Sequence, residues 1–192
     1  MKKLLSVLLV SILLIGCSED RVLSEELTNK GSSRYPLKYY EGKLFNGIEF
    51  DVYGNGELGK EMKVKDGKLN GVFKTWRRDG SLNQEGKYHD NKFEGLIKVW
   101  YSNGELESEI NYKNGVYDGL YKEWGHLNHK LEYEVFFKDG LNDGLSKEWW
   151  DNGQLREETN WKDGKRDGVY KSWDKSGEIS NELNYKDGKV IY

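Results

Sequence analysis

The sequence is poor in the residues that mark several common protein classes. Its 192 residues contain one cysteine and one proline. A single cysteine excludes a disulfide framework within the chain. The formal net charge is only −3, so no overall basic field indicates a nucleic-acid partner, and we expect none. The length allows one domain or two small ones and excludes a large multidomain enzyme.

Hydrophobic residues are also scarce, but aromatic residues are not. Charged residues make up 33% of the chain and the mean hydropathy is −0.87, whereas aromatic residues reach 14%. Disordered chains are poor in aromatic residues, so this composition excludes disorder over most of the length. The chain also has 23 glycines. Many glycines and aromatic residues with almost no proline predict short strands joined by tight turns.

The first 16 residues have the features of an export signal. Lys2 and Lys3 precede an apolar run from residue 4 to residue 15, which is too short for the roughly 20 residues that span a bilayer. The run ends in the sequence Leu-Ile-Gly-Cys at residues 14–17, which resembles the lipobox of bacterial lipoproteins. The resemblance implies cleavage after residue 16 and a lipid on Cys17. The alternative is a buried apolar helix with an incidental cysteine.

The lipid implied at Cys17 predicts a location and a membrane contact. A chain with two or three acyl groups is held firmly at a membrane, so we expect a lipid-anchored protein of the bacterial cell envelope. Residue 18 is serine rather than aspartate, which by analogy with enterobacterial sorting favours the outer membrane in a Gram-negative organism. Residues 17–38 contain the only proline and few apolar residues, and we expect them to form a flexible tether.

A repeat of 24 or 25 residues occupies the rest of the chain, residues 39–192. One reference glycine recurs in every unit: Gly47, Gly71, Gly95, Gly119, Gly144 and Gly168. Five residues after it stand Val52, Trp76, Trp100, Trp124, Trp149 and Trp173. Nine residues after it stand Gly56, Gly80, Gly104, Asn128, Gly153 and Gly177. The first unit lacks the tryptophan and is expected to be a degenerate cap.

Each unit predicts a β-hairpin. An apolar and aromatic strand leads to an Asn-Gly, Asp-Gly or Ser-Gly turn, in which glycine supplies the positive φ. The second strand alternates apolar and glutamate residues, as in residues 105–112. Six hairpins predict twelve strands in an all-β meander, an elongated and twisted single-layer antiparallel sheet. Stability is then expected to come from contacts between neighbouring repeats.

The repeat resembles the MORN-repeat-variant family, which is often labelled as antitoxins of the YwqK type. The residues that carry the resemblance include YKNGVYDGLYKEW at positions 112–124 and WDNGQLREE at positions 150–158. It covers about residues 40–192. The family implies the same sheet of MORN-like hairpins, and its antitoxin label implies a protein partner. An immunity role against a toxin in the envelope is compatible with the export signal.

The tryptophan column is the candidate binding face: Trp76, Trp100, Trp124, Trp149 and Trp173. Adjacent repeats are two strands apart, so these rings are expected on one face, about 10 Å apart. Exposed, they would stack on sugar rings or on a partner's apolar strip. Packed between hairpins, they would only stabilise the sheet. The sequence favours the second interpretation and leaves the first open.

Charged residues and histidines give no catalytic or metal site. A lysine two residues before each tryptophan (Lys74, Lys98, Lys122, Lys147 and Lys171) is interpreted as part of a solvated face. His126 and His129 lie in the irregular fourth unit without a cysteine or a rigid second shell, so no metal site is expected. No motif for a nucleophile or a phosphate loop is present. We therefore expect no enzyme activity and no cofactor.

These observations predict a non-catalytic lipoprotein that binds a protein partner or serves as a scaffold at the envelope. Two alternatives stay open. One is binding of envelope polysaccharide through the tryptophan row, and the other is an antitoxin or immunity function. Repeats of this kind specify architecture far better than function, because one scaffold serves unrelated partners.

Overall fold

The computed structural model describes residues 19–31 and 36–192. The predicted signal peptide and Cys17 lie outside these residues. The described part contains one short 3₁₀ turn, Ser24–Glu26, and otherwise strands and turns. The strands are β1 (Arg21–Leu23), β2 (Thr28–Gly31), β3 (Pro36–Tyr40), β4 (Lys43–Leu44), β5 (Gly47–Val52), β6 (Leu58–Lys65), β7 (Lys68–Trp76), β8 (Leu82–His89), β9 (Lys92–Phe93), β10 (Gly95–Trp100), β11 (Leu106–Lys113), β12 (Val116–Trp124), β13 (Leu131–Lys138), β14 (Leu141–Trp149), β15 (Leu155–Lys162), β16 (Lys165–Trp173), β17 (Ile179–Lys186) and β18 (Lys189–Ile191).

The repeats form one long antiparallel meander, as the sequence predicted. Strands β5 to β18 follow one another across a 15-stranded sheet, in which β9 and β10 both pair with β8 and together make one interrupted strand. Six hairpins result, from β5–β6 to β16–β17, with β18 as the start of a seventh unit. The predicted fold class is therefore confirmed.

Two kinds of turn alternate along the sheet, one at each edge. Within a hairpin, a three-residue loop ends on glycine with positive φ, for example Gly104 at 86°. Between hairpins, two residues both take positive φ, as at Asn114 (52°) and Gly115 (81°). The second geometry is that of a type I′ turn, whose twist matches the twist of the flanking strands. Asn-Gly and Asp-Gly sequences therefore fix the register at both edges.

The fourth unit departs from this pattern at its hairpin loop. The extra residue turns the loop into a wider one, in which the His129 N–H donates to the Gly125 carbonyl at 3.0 Å. His129, rather than Asn128 in the glycine column, takes the positive φ of 52°. The side chain of Leu127 is 90% exposed at the loop tip. The insertion is thus absorbed in the loop, and the strands on either side keep their register.

One face of the sheet, here the packed face, holds the buried side chains of the repeats. Phe73, Ile97, Val135 and Thr159 are at most 2% exposed and lie in one row across neighbouring strands. No second layer covers these residues among the described parts of the chain beyond β4. They are buried by large side chains from the strands on either side, which is the cross-strand packing expected of a single-layer sheet.

An aromatic row starts at Phe73 of this central row and continues beside it on the packed face. It runs through Phe73, Tyr88, Phe93, Tyr112, Tyr117 and Phe137, with successive ring centroids 4.6–5.0 Å apart. Tilted and stacked rings at this spacing add about 0.5–1.5 kcal/mol per pair to their area burial. This row therefore joins the second, third and fourth units on the packed face.

The segment before the repeats is folded onto them. We name residues 19–31 and 36–44 the N-terminal strap. Strand β1 pairs in parallel with β5, and β2, β3 and β4 form a small antiparallel sheet. Val22 and Leu27 of the strap are buried together with Phe45, Val64 and Leu69. The strap thereby covers the first edge of the large sheet.

The expectation of a flexible tether over residues 17–38 is wrong for the residues of it that the structure describes. The tether was inferred from the scarcity of apolar residues and the lack of a period. Two apolar side chains, Val22 and Leu27, are nevertheless enough to hold this segment against the repeats. The first hairpin has an edge strand for β1 to pair with and a face for these side chains to pack on. The folded part of the chain thus begins before residue 39.

A buried group of charges joins the strap to the first hairpin. Glu49 is 2% exposed, and its carboxylate lies 2.7 Å from Lys38 Nζ and 3.3 Å from Lys60 Nζ. The Ser24 hydroxyl donates to Glu49 Oε1 at 2.8 Å. Burial alone would raise the pKa of Glu49, but these partners outweigh it and hold the pKa below its usual value. Glu49 therefore stays ionised between the strap and the sheet.

Carboxylates and one amide link the turns on either side of a hairpin at the type I′ edge, in every unit but the second. The side chain preceding the reference glycine accepts a hydrogen bond, at 2.8–3.3 Å, from the first backbone N–H of the following turn. The acceptors are Asn46, Glu94, Asp118, Asp143 and Asp167. The pKa of Asp143 is lowered, first by the Asp163 N–H and then by the Lys162 ammonium. Side-chain carboxylates and one amide thus serve as caps for these turns.

Replacing Lys38 by methionine is expected to lower the free energy of unfolding by about 3 kcal/mol, because Glu49 then keeps a buried charge without its nearest cation. Urea unfolding followed by tryptophan fluorescence measures the change. Adding Glu49→Gln to Lys38→Met removes the buried charge and should restore part of the loss. Equal stability of Lys38→Met and the unmodified protein would show that the strap does not depend on this pair.

Candidate functional site

The predicted binding residues lie together on the second face of the sheet. Strand alternation places the side chains of Lys98 and Trp100 opposite to that of Ile97. We name this side the charged face. It carries the predicted tryptophans Trp76, Trp100, Trp124, Trp149 and Trp173 and the predicted lysines Lys74, Lys98, Lys122, Lys147 and Lys171. The structure thus brings the two predicted columns onto one surface.

Every tryptophan of the column is half-buried. Each pairs across its hairpin with an aliphatic residue next to a bulge, as Trp100 does with Leu106 and Trp149 with Leu155. The backbone carbonyls of these tryptophans also accept hydrogen bonds from the neighbouring unit. The Tyr53 hydroxyl donates to the Trp76 carbonyl at 2.8 Å, and the Tyr101 hydroxyl to the Trp124 carbonyl at 2.7 Å.

These hydrogen bonds form an inter-repeat column that sequence reasoning missed. The residue after the tryptophan position supplies the donor, and the carbonyl belongs to the tryptophan one unit later. Trp150 Nε1 continues the pattern by donating to the Trp173 carbonyl at 3.1 Å. In the fourth unit this position is Gly125, which has no side chain to donate to Trp149. The tryptophan column is therefore built into the packing of the repeats, and its assignment as a binding face stays a prediction.

The lysines are paired along the charged face. Lys98 Nζ lies 3.1 Å from Glu109, and Lys147 Nζ lies 3.5 Å from Glu158. The register places the lysine and glutamate columns directly opposite each other on successive strands, so that the sign of the charge alternates across the sheet. Exposed pairs of this kind contribute about 0–1 kcal/mol each. The row is a charge-balanced surface.

An apolar stripe that sequence reasoning did not single out lies beside this row. We name as the aliphatic stripe the side chains that directly follow the reference glycine: Val72, Leu96, Leu120, Leu145 and Val169. They are 37–49% exposed. The signal was present in the sequence as a column that is aliphatic in every unit. Only the register shows that this column faces away from the packed face.

The two histidines of the fourth unit contact different residues. The His126 ring lies edge-on to Tyr101 at 4.7 Å between centroids, and His129 Nδ1 lies 4.0 Å from Glu105. Within residues 19–31 and 36–192, no three His, Cys, Asp or Glu side chains are grouped so that they could hold a metal ion. In the same ranges, no helix has the length and apolar character needed to cross a membrane.

Trp100→Ala is expected to lower the free energy of unfolding by about 2 kcal/mol, because a half-buried ring loses its cross-strand contacts. Urea unfolding followed by circular dichroism measures the loss, and Trp100→Phe, which keeps a ring, should lose less. If Trp100→Ala is as stable as the unmodified protein, the ring has no structural role and the column is free to act as a binding face.

Comparison with known proteins identifies the repeat. The family described as MORN repeat variant matches residues 93–114, 142–163 and 166–187. These segments correspond to the hairpins of the third, fifth and sixth units and cover about a third of the chain. No curated protein gives a significant match. The chain therefore carries MORN repeat variants in at least these three units.

Proposed function

We propose that this chain is a non-catalytic lipoprotein that binds a protein partner at the bacterial cell envelope through the charged face of its repeats. The observation that carries the proposal is the aliphatic stripe. Five aliphatic side chains in successive units are 37–49% exposed, whereas the apolar side chains in the central row of the packed face are buried. Between neighbouring members lies one side chain of the intervening strand, Lys87, Asn111, Phe136 or Asn160. The stripe is therefore a regular series of exposed apolar side chains with mostly polar ones between them, a mixture that is typical of protein interfaces.

The surroundings of the stripe favour a protein partner. Lysine and glutamate alternate along one side of it, so the surface combines exposed apolar side chains with a charged and hydrogen-bonding row. Protein interfaces also combine apolar contacts with direct hydrogen bonds and charged groups. The spacing of the stripe, one residue per two strands, also suits a partner that is itself extended along the sheet.

An immunity function against a toxin is one specific form of this proposal. It is supported by the antitoxin label of the family that the repeats resemble and by the same exposed stripe. It would require that the partner be a toxin encoded nearby or delivered into the envelope.

The proposed anchor is tested by Cys17→Ser. We expect this variant to leave the membrane fraction and appear in the soluble fraction, because the lipid would have no sulfur to attach to. Immunoblotting of fractionated cells measures the distribution, with Ser18→Ala as the control that keeps the cysteine. Retention of Cys17→Ser in the membrane would contradict the anchor.

The proposed surface is tested by a triple variant, Leu96→Lys, Leu120→Lys and Leu145→Lys. These side chains are half-exposed, so we expect little loss of stability but at least a tenfold loss of partner recovered by crosslinking and affinity capture from envelopes. The matched control places the same three charges on exposed apolar residues outside the stripe, Val52→Lys, Leu127→Lys and Ile179→Lys. A partner recovered equally with both variants would contradict binding through the stripe.

A further inference from the structure

A cavity of about 530 Å³ lies between the first two repeats, at the edge formed by the hairpin loops. It is lined by Asp51, Val52, Tyr53, Gly59, Lys60, Thr75, Trp76, Asn83 and Gln84. Its volume is within the range of roughly 300–1,000 Å³ that is typical of small-molecule sites. The cavity lies apart from the aliphatic stripe, and the proposed protein-binding surface does not use it.

The cavity is open because one repeat position carries glycine in the first unit. In each unit the second strand has a bulge, that is, one residue without a partner on the first strand. In the first unit this residue is Gly59, between the pairs Val52–Leu58 and Asp51–Lys60. The same position in the following units is occupied by Asn83, Glu107, Glu132, Arg156 and Ser180. Only the first unit has no side chain there.

Nothing in the backbone requires a glycine at residue 59. It lies outside the positive-φ region that favours glycine. A Cβ atom added there would make ordinary contacts, the nearest being 3.4 Å from Cε2 of Tyr53. A larger residue is therefore compatible with the fold, and the physical effect of Gly59 is to leave space against the Tyr53 ring.

The lining of the cavity combines charged groups of both signs with neutral amide and hydroxyl groups. Lys60 Nζ lies 2.9 Å from Asp51 and 3.3 Å from Glu49, and Glu49 also pairs with Lys38 at 2.7 Å. Two carboxylates are thus balanced by two ammonium groups. Thr75, Asn83 and Gln84 add a hydroxyl and two amides, the Asn83 amide donating to the Thr75 hydroxyl at 3.3 Å. Amide and hydroxyl groups both donate and accept hydrogen bonds.

We propose that this cavity binds a neutral, hydroxyl-rich ring of monosaccharide size, either as a free sugar or as one unit of a polysaccharide. The Tyr53 ring offers an apolar wall for the C–H face of such a ring. Asp51, Lys60, Asn83 and Gln84 supply the donors and acceptors that a set of neighbouring hydroxyl groups needs. Among the lining residues the one carboxylate, Asp51, is paired with the one ammonium, Lys60, so the lining itself carries no net charge. The site is a single subsite at Gly59, which shares only Trp76 with the tryptophan row of the charged face.

The experiment uses the full-length protein in a zwitterionic detergent and saturation-transfer NMR. The probes are glucose, galactose, mannose and N-acetylglucosamine as free sugars, and dextran and chitin oligosaccharides as polymers. We expect at least one probe to bind, with weak affinity because the cavity is shallow. Binding of free sugars as tight as that of the polymers assigns a free ligand, and tighter binding of a polymer assigns a polysaccharide.

Three variants locate the binding. Gly59→Asn introduces the residue of the equivalent position 83 and should reduce binding at least tenfold by filling the cavity. Ser180→Asn makes the same substitution at the equivalent position of the sixth unit and should leave binding unchanged. Gln84→Ala removes a polar lining group without adding volume and should weaken binding at least threefold, which keeps the test valid if Gly59→Asn fails to fold.

Two outcomes overturn the proposal. One is the absence of any signal from all six probes with the unmodified protein. The other is full binding by folded Gly59→Asn, which would place the sugar elsewhere on the chain. Neither outcome bears on the protein-binding proposal, because that proposal is measured on the aliphatic stripe by recovery of a partner.

Discussion

Burial across neighbouring strands is the interaction on which this structure depends. A sheet that is one layer thick has no opposing layer to cover its side chains, so a residue is buried only by its neighbours within the sheet. Ile97 and Val135 reach 0% exposure in this way, between large side chains on adjacent strands. Each repeat therefore needs the next one. This is why the aromatic row, the turn caps and the donors to the tryptophan carbonyls all join successive units.

The same constraint explains the N-terminal strap. The first hairpin has no preceding repeat to bury its face, and the strap takes that place with Val22, Leu27 and Phe45. Its charged contact with Glu49 is unusual in this sheet, because most ion pairs among the described residues are exposed on strands or turns. A buried carboxylate with two lysine partners orients the strap more specifically than apolar contact alone.

Because the repeats pack through side chains on one face of the sheet, residues on the other face and at the loops can differ between repeats. The charged face keeps its alternating lysines and glutamates, and beside them the aliphatic stripe continues across successive units. The bulge position at the loop edge changes from unit to unit, from Gly59 to Arg156, without disturbing the strands. A repeat architecture thus offers several places for binding at little cost to stability.

The sequence predicted the repeats well because their signals are local. Asn-Gly and Asp-Gly turns, alternating strands and the spacing of 24 or 25 residues depend on near neighbours in the chain, and they led to the six hairpins and the meander. The strap was missed because its burial depends on contacts such as Val22 with the first hairpin. The stripe and the cavity were missed for a related reason. Which way Leu96 faces, and what space Gly59 leaves, follow from register and bulges between strands.

The candidate site shows the same division. The sequence showed the tryptophan and lysine columns in the second to sixth units, and the strand period put them on one face. It favoured tryptophans packed between hairpins, but it did not reveal that residues such as Tyr101 donate to their carbonyls, since those contacts join residues 23 positions apart. By itself, the sequence determined a β-hairpin repeat with its turns and its alternation. The tertiary structure decided which columns are buried and which are exposed, because in a single-layer sheet burial is set by the neighbouring strands.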